Sequence, residues 1–227
     1  MNLYKNHTHR EILAVLEQSD KLTYEAKLNL LNEIDKRSID APTDELQSQI
    51  NQKEVAINNL DYLKDIGFMY TMDENTGTIT IRRASGAKLM DIAAVVVGVI
   101  LSLVGLIHCW LLLAIFTGSN EFTLTKLFTY VFMISLGLIG FKMLGGINRF
   151  LDYNSFLFVQ QRDTVTIKKG DIKDEQTFNT ADLKLEEEGE DELILSAGEI
   201  KIMRTSPHNL VQKLTMEALL HNILRNQ

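Results

Sequence analysis

The chain has 227 residues, 45% of them hydrophobic and 23% charged, with a formal net charge of −7 and one cysteine. That length suits one large domain or two small ones, and no basic stripe of the kind nucleic acid requires is visible, which excludes nucleic acid as a partner. Cys109 lies inside an apolar run, so an intrachain disulfide or cysteine-rich metal site is excluded, and the residue reads as a small apolar filler.

Charge divides the chain into three parts. Residues 1–67 carry 8 Lys/Arg against 12 Asp/Glu, and residues 150–227 carry 9 against 14. The middle, 68–149, reverses the balance with 6 against 4 and holds the long apolar runs. The opening MNLYKNHTHREILAVLEQ is not expected to be a secretory signal, because charges and histidines interrupt its apolar residues. Without such a signal, Asn6-His7-Thr8 is a chance match to the glycosylation pattern. His7 and His9 lack companion ligands and read as solvated.

Residues 1–67 form an N-terminal cytoplasmic helical segment. Helices are predicted over 8–18 and 23–37, with Ile12, Leu13, Leu16, Leu28, Leu31 and Ile34 at helical spacing and Thr8 and Thr23 as N-caps. A third helix starts at Pro42 and runs to about Asp65, its stripe made by Leu46, Ile50, Ile57, Leu60 and Leu63. Three such helices make a marginal core alone, so they are expected to pack on another part of the chain or on a partner.

At Phe68 the period changes from 3.6 to 2. FMYTM and TITIRR flank DENTG, where Gly77 supplies the turn, giving a β-hairpin over 68–87. Residues 88–149 then read as a transmembrane hairpin. Ile92–Phe116 contains 25 residues without a charge, and Leu127–Ile147 is broken only by Lys142. A bilayer core needs about 20 helical residues, so helices of about 92–116 and 127–147 can each span it. The short link TGSNEFTLTK makes them antiparallel.

Arg82, Arg83 and Lys88 precede the first span and Arg149 follows the second, whereas the link holds Lys126 beside Glu121. These interface cations place both chain ends in the cytoplasm by the positive-inside rule, with a bacterial inner membrane as the expected location. Asp91 sits at the mouth of the first span, and Lys142 is close enough to the end of the second to snorkel. An Asp91–Lys142 pair or an ion pathway is the sharper reading of these two residues. His108 reads as a polar residue near the outer interface, where Trp110 and Tyr130 suit the aromatic belt. Ala94, Gly98, Ser102 and Gly105 line one face of the first helix, and Gly137 and Gly140 line one of the second. Such small residues let helices approach closely, either within the hairpin or between copies of the chain.

Strands resume after the second span: SFLFVQQ, DTVTIKK, a stretch around QTFN, LKLEEE, ELILS and EIKIMR. Turns fall at Arg162-Asp163, Gly170-Asp171, Gly189 and Ala197-Gly198. Ser206-Pro207 opens a helix of about 207–225 that must bury a broad apolar face.

About seven short antiparallel strands followed by one amphipathic helix resembles the pleckstrin-homology architecture, including bacterial membrane proteins with a two-helix membrane hairpin beside a PH-like domain. The likeness covers residues 68 to 226 and lies in element order, with no diagnostic motif. It implies an integral membrane α+β fold. In that fold a two-helix transmembrane hairpin is inserted into a small antiparallel β domain, completed by residues 150–227 and their C-terminal helix and preceded by the N-terminal helices. A short antiparallel sandwich is the alternative. PH-like domains often bind lipid headgroups or peptides. Here EEEGEDE (186–192) would repel anionic lipid, which favours a protein partner.

No phosphate-binding glycine loop, nucleophile elbow or zinc-protease motif is present, so no catalytic residue, cofactor or metal site is assigned. The expected function is a non-catalytic inner-membrane scaffold, with the bilayer and a protein partner or further copies of the chain as its contacts. The alternatives are a subunit of an ion-conducting or force-generating complex that uses Lys142 and Asp91, and a lipid-sensing module that uses Arg82 and Arg83.

Overall fold

The computed structural model describes residues 3–118, 123–170 and 175–225. The middle of the polar link expected between the apolar helices, residues 119–122 with Glu121, lies outside them, as does Asp171 of the expected Gly170-Asp171 turn. The fold is α+β, with two long apolar helices and two antiparallel sheets.

The N-terminal helices are α1 (His9–Leu16), α2 (Tyr24–Lys36) and α3 (Asp44–Asn58). Thr8 caps α1 in a capping box with Glu11, satisfying amides that the first turn cannot, and the Thr23 side chain accepts from the Ala26 amide at α2. Pro42 lies in the incoming chain, with Thr43 at the N-cap of α3. The third helix is shorter than its apolar stripe predicts. Leu60 adopts left-handed φ 62° and turns the chain into a 3-10 segment, Asp61–Ile66. A non-glycine residue pays about 1–2 kcal/mol for that conformation, which burial of the Leu60 side chain offsets. Arg37 fastens the segment preceding α1: it donates to the carbonyls of His7 (2.6 Å) and Lys5 (2.7 Å) while pairing with the buried Glu33.

The first sheet has five strands in the order β1 (Phe68–Asp73), β2 (Thr78–Arg83), β3 (Leu157–Gln161), β4 (Thr164–Lys168) and β5 (Gln176–Asn179). The second contains β6 (Leu183–Glu188), β7 (Glu192–Ala197) and β8 (Ile200–Thr205). Each of the eight stretches read as strands in the sequence contains a strand, one more than the PH-like count of about seven. Between β2 and β3 the chain leaves the sheet as α4 (Ser85–Phe116), returns as α5 (Leu124–Leu144) and adds α6 (Gly146–Tyr153) after a one-residue interruption at Gly145. Although 73 residues separate β2 from β3, the two strands are hydrogen-bonded neighbours, with Ile81 opposite Phe158 and Ile79 opposite Gln160.

Alternation sends Ile79, Ile81, Phe158, Val165 and Ile167 inward and leaves a polar row of Thr71, Thr80, Thr166 and Thr177 around Val159 on the other face. The inward side chains meet those of β7 and β8 and one face of α7 (Leu210–Arg225). The terminal helix starts later than Ser206-Pro207 predicts. Asn209 takes the capping role, accepting from the Gln212 amide at 3.2 Å, while the Ser206 hydroxyl accepts from His208 in the preceding turn. Buried Gln160 ties sheet to helix by donating to the Ile223 carbonyl at 3.1 Å.

Helix α7 has two buried faces. Met216, Leu219 and Ile223 enter the sheet core, whereas Leu210, Val211 and Leu214 pack on the core formed by α1, α2 and α3. Ala218 touches both cores. The N-terminal helices thus find within the chain the surface they require. Leu219→Ala removes a fully buried side chain and should cost about 3 kcal/mol. Because α7 joins the two cores, hydrogen exchange should quicken in α2 and α3 as well as in the strands.

Candidate functional site

Two features converge where the apolar hairpin leaves the sheet. The first is a buried ion pair. Arg83, the last residue of β2, turns inward at the corner into α4, and its side chain is only 4% exposed. The guanidinium donates to Asp91 Oδ2 from Nη2 at 2.6 Å and from Nε at 3.1 Å, and to the carbonyls of Ile66 and Gly67 from Nη1 at 3.4 and 3.3 Å. Phe68 and Tyr153 flank it, with ring centroids 5.3 and 5.4 Å from Cζ. Gly67 permits this approach: its φ is +90°, and a Cβ there would overlap the guanidinium. The Ala84 amide donates back to the Gly67 carbonyl at 2.9 Å, closing the corner.

This geometry corrects the reading of Arg83 as an interface cation, since it is enclosed in protein and neutralised. The interface acid Asp91 is its partner, whereas Lys142 is exposed and forms no ion pair among the described residues. The other basic residues lie outside the cluster. Arg82 is exposed on the outer sheet face opposite Met69, and Lys88 is exposed, with its Nζ 3.3 Å from the Asn154 carbonyl. Arg149 is exposed on α6.

The glycine faces meet within the hairpin. A Cβ at Gly105 would come within 2.5 Å of Gly137 Cα, and one at Gly140 within 2.6 Å of Leu101 Cβ and 2.8 Å of the Gly98 carbonyl. Side chains larger than hydrogen would force the helices apart at these levels. Ser102 lies on the same contact, its hydroxyl buried without a partner among the described residues, and Ala94 is half-buried. His108 bonds the Val104 carbonyl at 2.7 Å and packs edge-on to Tyr130.

The second feature is a polar cleft of about 470 Å³. One wall is the hairpin's return, with Asn148, Arg149, Asp152 and Tyr153. The lining also includes Arg204, Thr205, Ser206 and Gln212 of the β8–α7 corner and Asp65 of the 3-10 segment. Arg204 faces Asp152 at 3.7 Å and Glu192 at 3.6 Å, long contacts that leave its side chain about half exposed. Burial pushes the Tyr153 hydroxyl above its ordinary pKa, with Arg204 pulling it back. Asp65 and Arg149 are exposed and form no ion pair among the described residues. The cleft therefore offers hydrogen-bond donors and charges of both signs. Of its residues, only Arg149 was marked as a candidate site residue in the sequence. Asp65, Asp152, Tyr153 and Arg204 come from three separated elements and carry no spacing signal.

The Arg83–Asp91 pair is testable by a double-mutant cycle. Asp91→Ala leaves a buried guanidinium short of its counter-charge and should cost about 3 kcal/mol. Combined with Arg83→Met it should cost clearly less than the sum of the two single changes, as read from denaturation in detergent.

Comparison with known proteins finds no matching family model, no matching curated protein and no matching solved structure.

Proposed function

We propose that the chain is an integral membrane protein without catalytic activity, in which the α4–α5 hairpin crosses a bilayer and holds the sheet body on the cytoplasmic side to dock a protein partner. The observation that carries this reading is the asymmetry of the hairpin. Its inner side is lined by glycines in close contact, while its outer side presents Trp110, Phe116, Phe128 and Phe141, each more than 70% exposed. In water such a surface would be a large unpaid exposure; in lipid it needs no further cover. With 32 residues α4 is about 48 Å long, more than a hydrocarbon core of about 30 Å, so its first turns stand in the interface beside the sheet.

With Arg83 neutralised, Arg82, Lys88 and Arg149 remain at the sheet end of the hairpin against Lys126 at the other. That bias favours cytoplasmic termini, and a bacterial inner membrane fits it. The PH-like reading of the β body rests on element order: a sheet, a second three-stranded sheet and a closing helix. For the partner, β1 is an edge strand of the larger sheet, with one side unpaired among the described residues and Met69 and Met72 exposed. An open edge of this kind suits strand addition by an extended peptide.

Full-length tagged protein, purified in mild detergent at native expression level, should carry a defined partner at fixed stoichiometry. Met69→Lys with Met72→Lys should release that partner while the chain stays in carbonate-washed membranes. A bare monomer would count against docking, and loss from washed membranes would count against the hairpin's insertion. Lys142→Met should leave assembly and function intact; a homogeneous ring of this chain that fails on that change would replace the scaffold with a conducting complex.

A further inference from the structure

We propose that the cleft between α6 and the β8–α7 corner binds the headgroup of a zwitterionic aminophospholipid, a phosphodiester carrying a primary ammonium group. The inference rests on the membrane reading above and adds to it a lipid and a site.

Position points to lipid. The cleft is walled by α6, the continuation of the second apolar helix, and shares Ile66 and Tyr153 with the Arg83 corner from which α4 departs. Exposed apolar side chains persist to this level: Leu89 and Met90 in the first turns of α4 are 67% and 73% exposed, and Leu151 on α6 is 48% exposed. Acyl chains on those residues bring a headgroup to the height of the cleft.

Charge selects the headgroup. Arg149 has no ion-pair partner among the described residues, and Arg204 has long ion-pair contacts to Asp152 and Glu192 beside its interaction with the Tyr153 hydroxyl. Two guanidiniums lining one cleft suit a phosphodiester, which accepts their planar forks. A purely anionic ligand would leave Asp65 unanswered, since this exposed carboxylate in the same cleft has no cation of its own among the described residues. A primary ammonium beside the phosphate supplies three donors to it, whereas a trimethylammonium supplies none. Asn148, Ser206 and Gln212 add neutral polar groups to the lining. The buried Arg83 takes no part, so lipid recognition is assigned away from the Arg82-Arg83 pair.

The test uses the delipidated full chain in nonionic detergent, with short-chain phosphatidylethanolamine, phosphatidylcholine and phosphatidylglycerol, and with inorganic phosphate, read by native mass spectrometry. Phosphatidylethanolamine should bind best. Arg149→Gln or Arg204→Gln should weaken it by about tenfold or more, as loss of a charge-assisted contact does. Asp65→Asn should erase the preference over phosphatidylcholine while retaining phosphodiester binding. Arg149 and Asp65 are exposed, so their variants should fold and should float with liposomes like wild type. Equal binding of all three lipids, insensitive to these changes, overturns the proposal. Phosphate binding as tightly as the lipid assigns the cleft to a soluble anion and overturns the lipid source. Wild type that fails to float with liposomes refutes the membrane reading itself, an outcome separate from lipid selectivity.

Discussion

The architecture turns on one buried guanidinium. Arg83 ends a sheet strand, and within its reach lie the carbonyls that close the preceding 3-10 segment, the rings of Phe68 and Tyr153, and the Asp91 carboxylate two turns into the apolar helix. A charge so enclosed is costly unless every donor finds an acceptor and a counter-charge sits nearby. The observed arrangement of strand, turn and helix supplies the counter-charge and both carbonyls, so satisfying Arg83 constrains the angle at which the hairpin leaves the sheet. A flexible linker would place no such demand.

That fixed corner has a second constraint behind it. The hairpin departs from β2 and returns to β3, and those strands are hydrogen-bonded to each other. Both roots of the hairpin are therefore held at adjacent points of one sheet, and Lys88 bridges them by reaching the Asn154 carbonyl. On the far side of the sheet core, α7 carries the N-terminal helices on its other face. A mechanical path thus runs from the apolar helices through the sheet to α7 and on to α2 and α3. Partner binding at the sheet edge or lipid in the cleft would act on a body whose orientation is already set.

Local rules made much of this legible in the sequence. Thr8 and Thr23 announced their helices because a capping side chain must precede the first turn, and alternation in TITIRR and DTVTIKK marked strands. The two apolar helices followed from length and lack of charge, and the N-terminal segment's need for a surface followed from its small core. What escaped was long-range or contrary to local preference. Leu60 is a poor residue for a left-handed turn, so the apolar stripe read through it to Asp65. Helix α4 starts at Ser85, ahead of the apolar run, because Arg83 and Asp91 tie its polar first turns to the sheet. Arg83 counted as an interface cation in sequence because nothing in its neighbours reveals that the strand ends by turning it inward. The cleft was hidden for the same reason: Asp65, Arg149 and Arg204 are far apart in sequence and share it only through the tertiary fold.

If the hairpin spans a bilayer as proposed, it and the sheet move there as one rigid body. Electron-electron distance spectroscopy tests it most directly, with Cys109 replaced by serine and spin labels at Thr166→Cys on the outer sheet face and Thr125→Cys near the start of α5, in lipid nanodiscs. A single narrow distance distribution is predicted, broadening when Asp91 is changed to Asn. A broad distribution in the chain with Asp91 intact would show a hairpin that swings freely from its sheet, and would contradict the account.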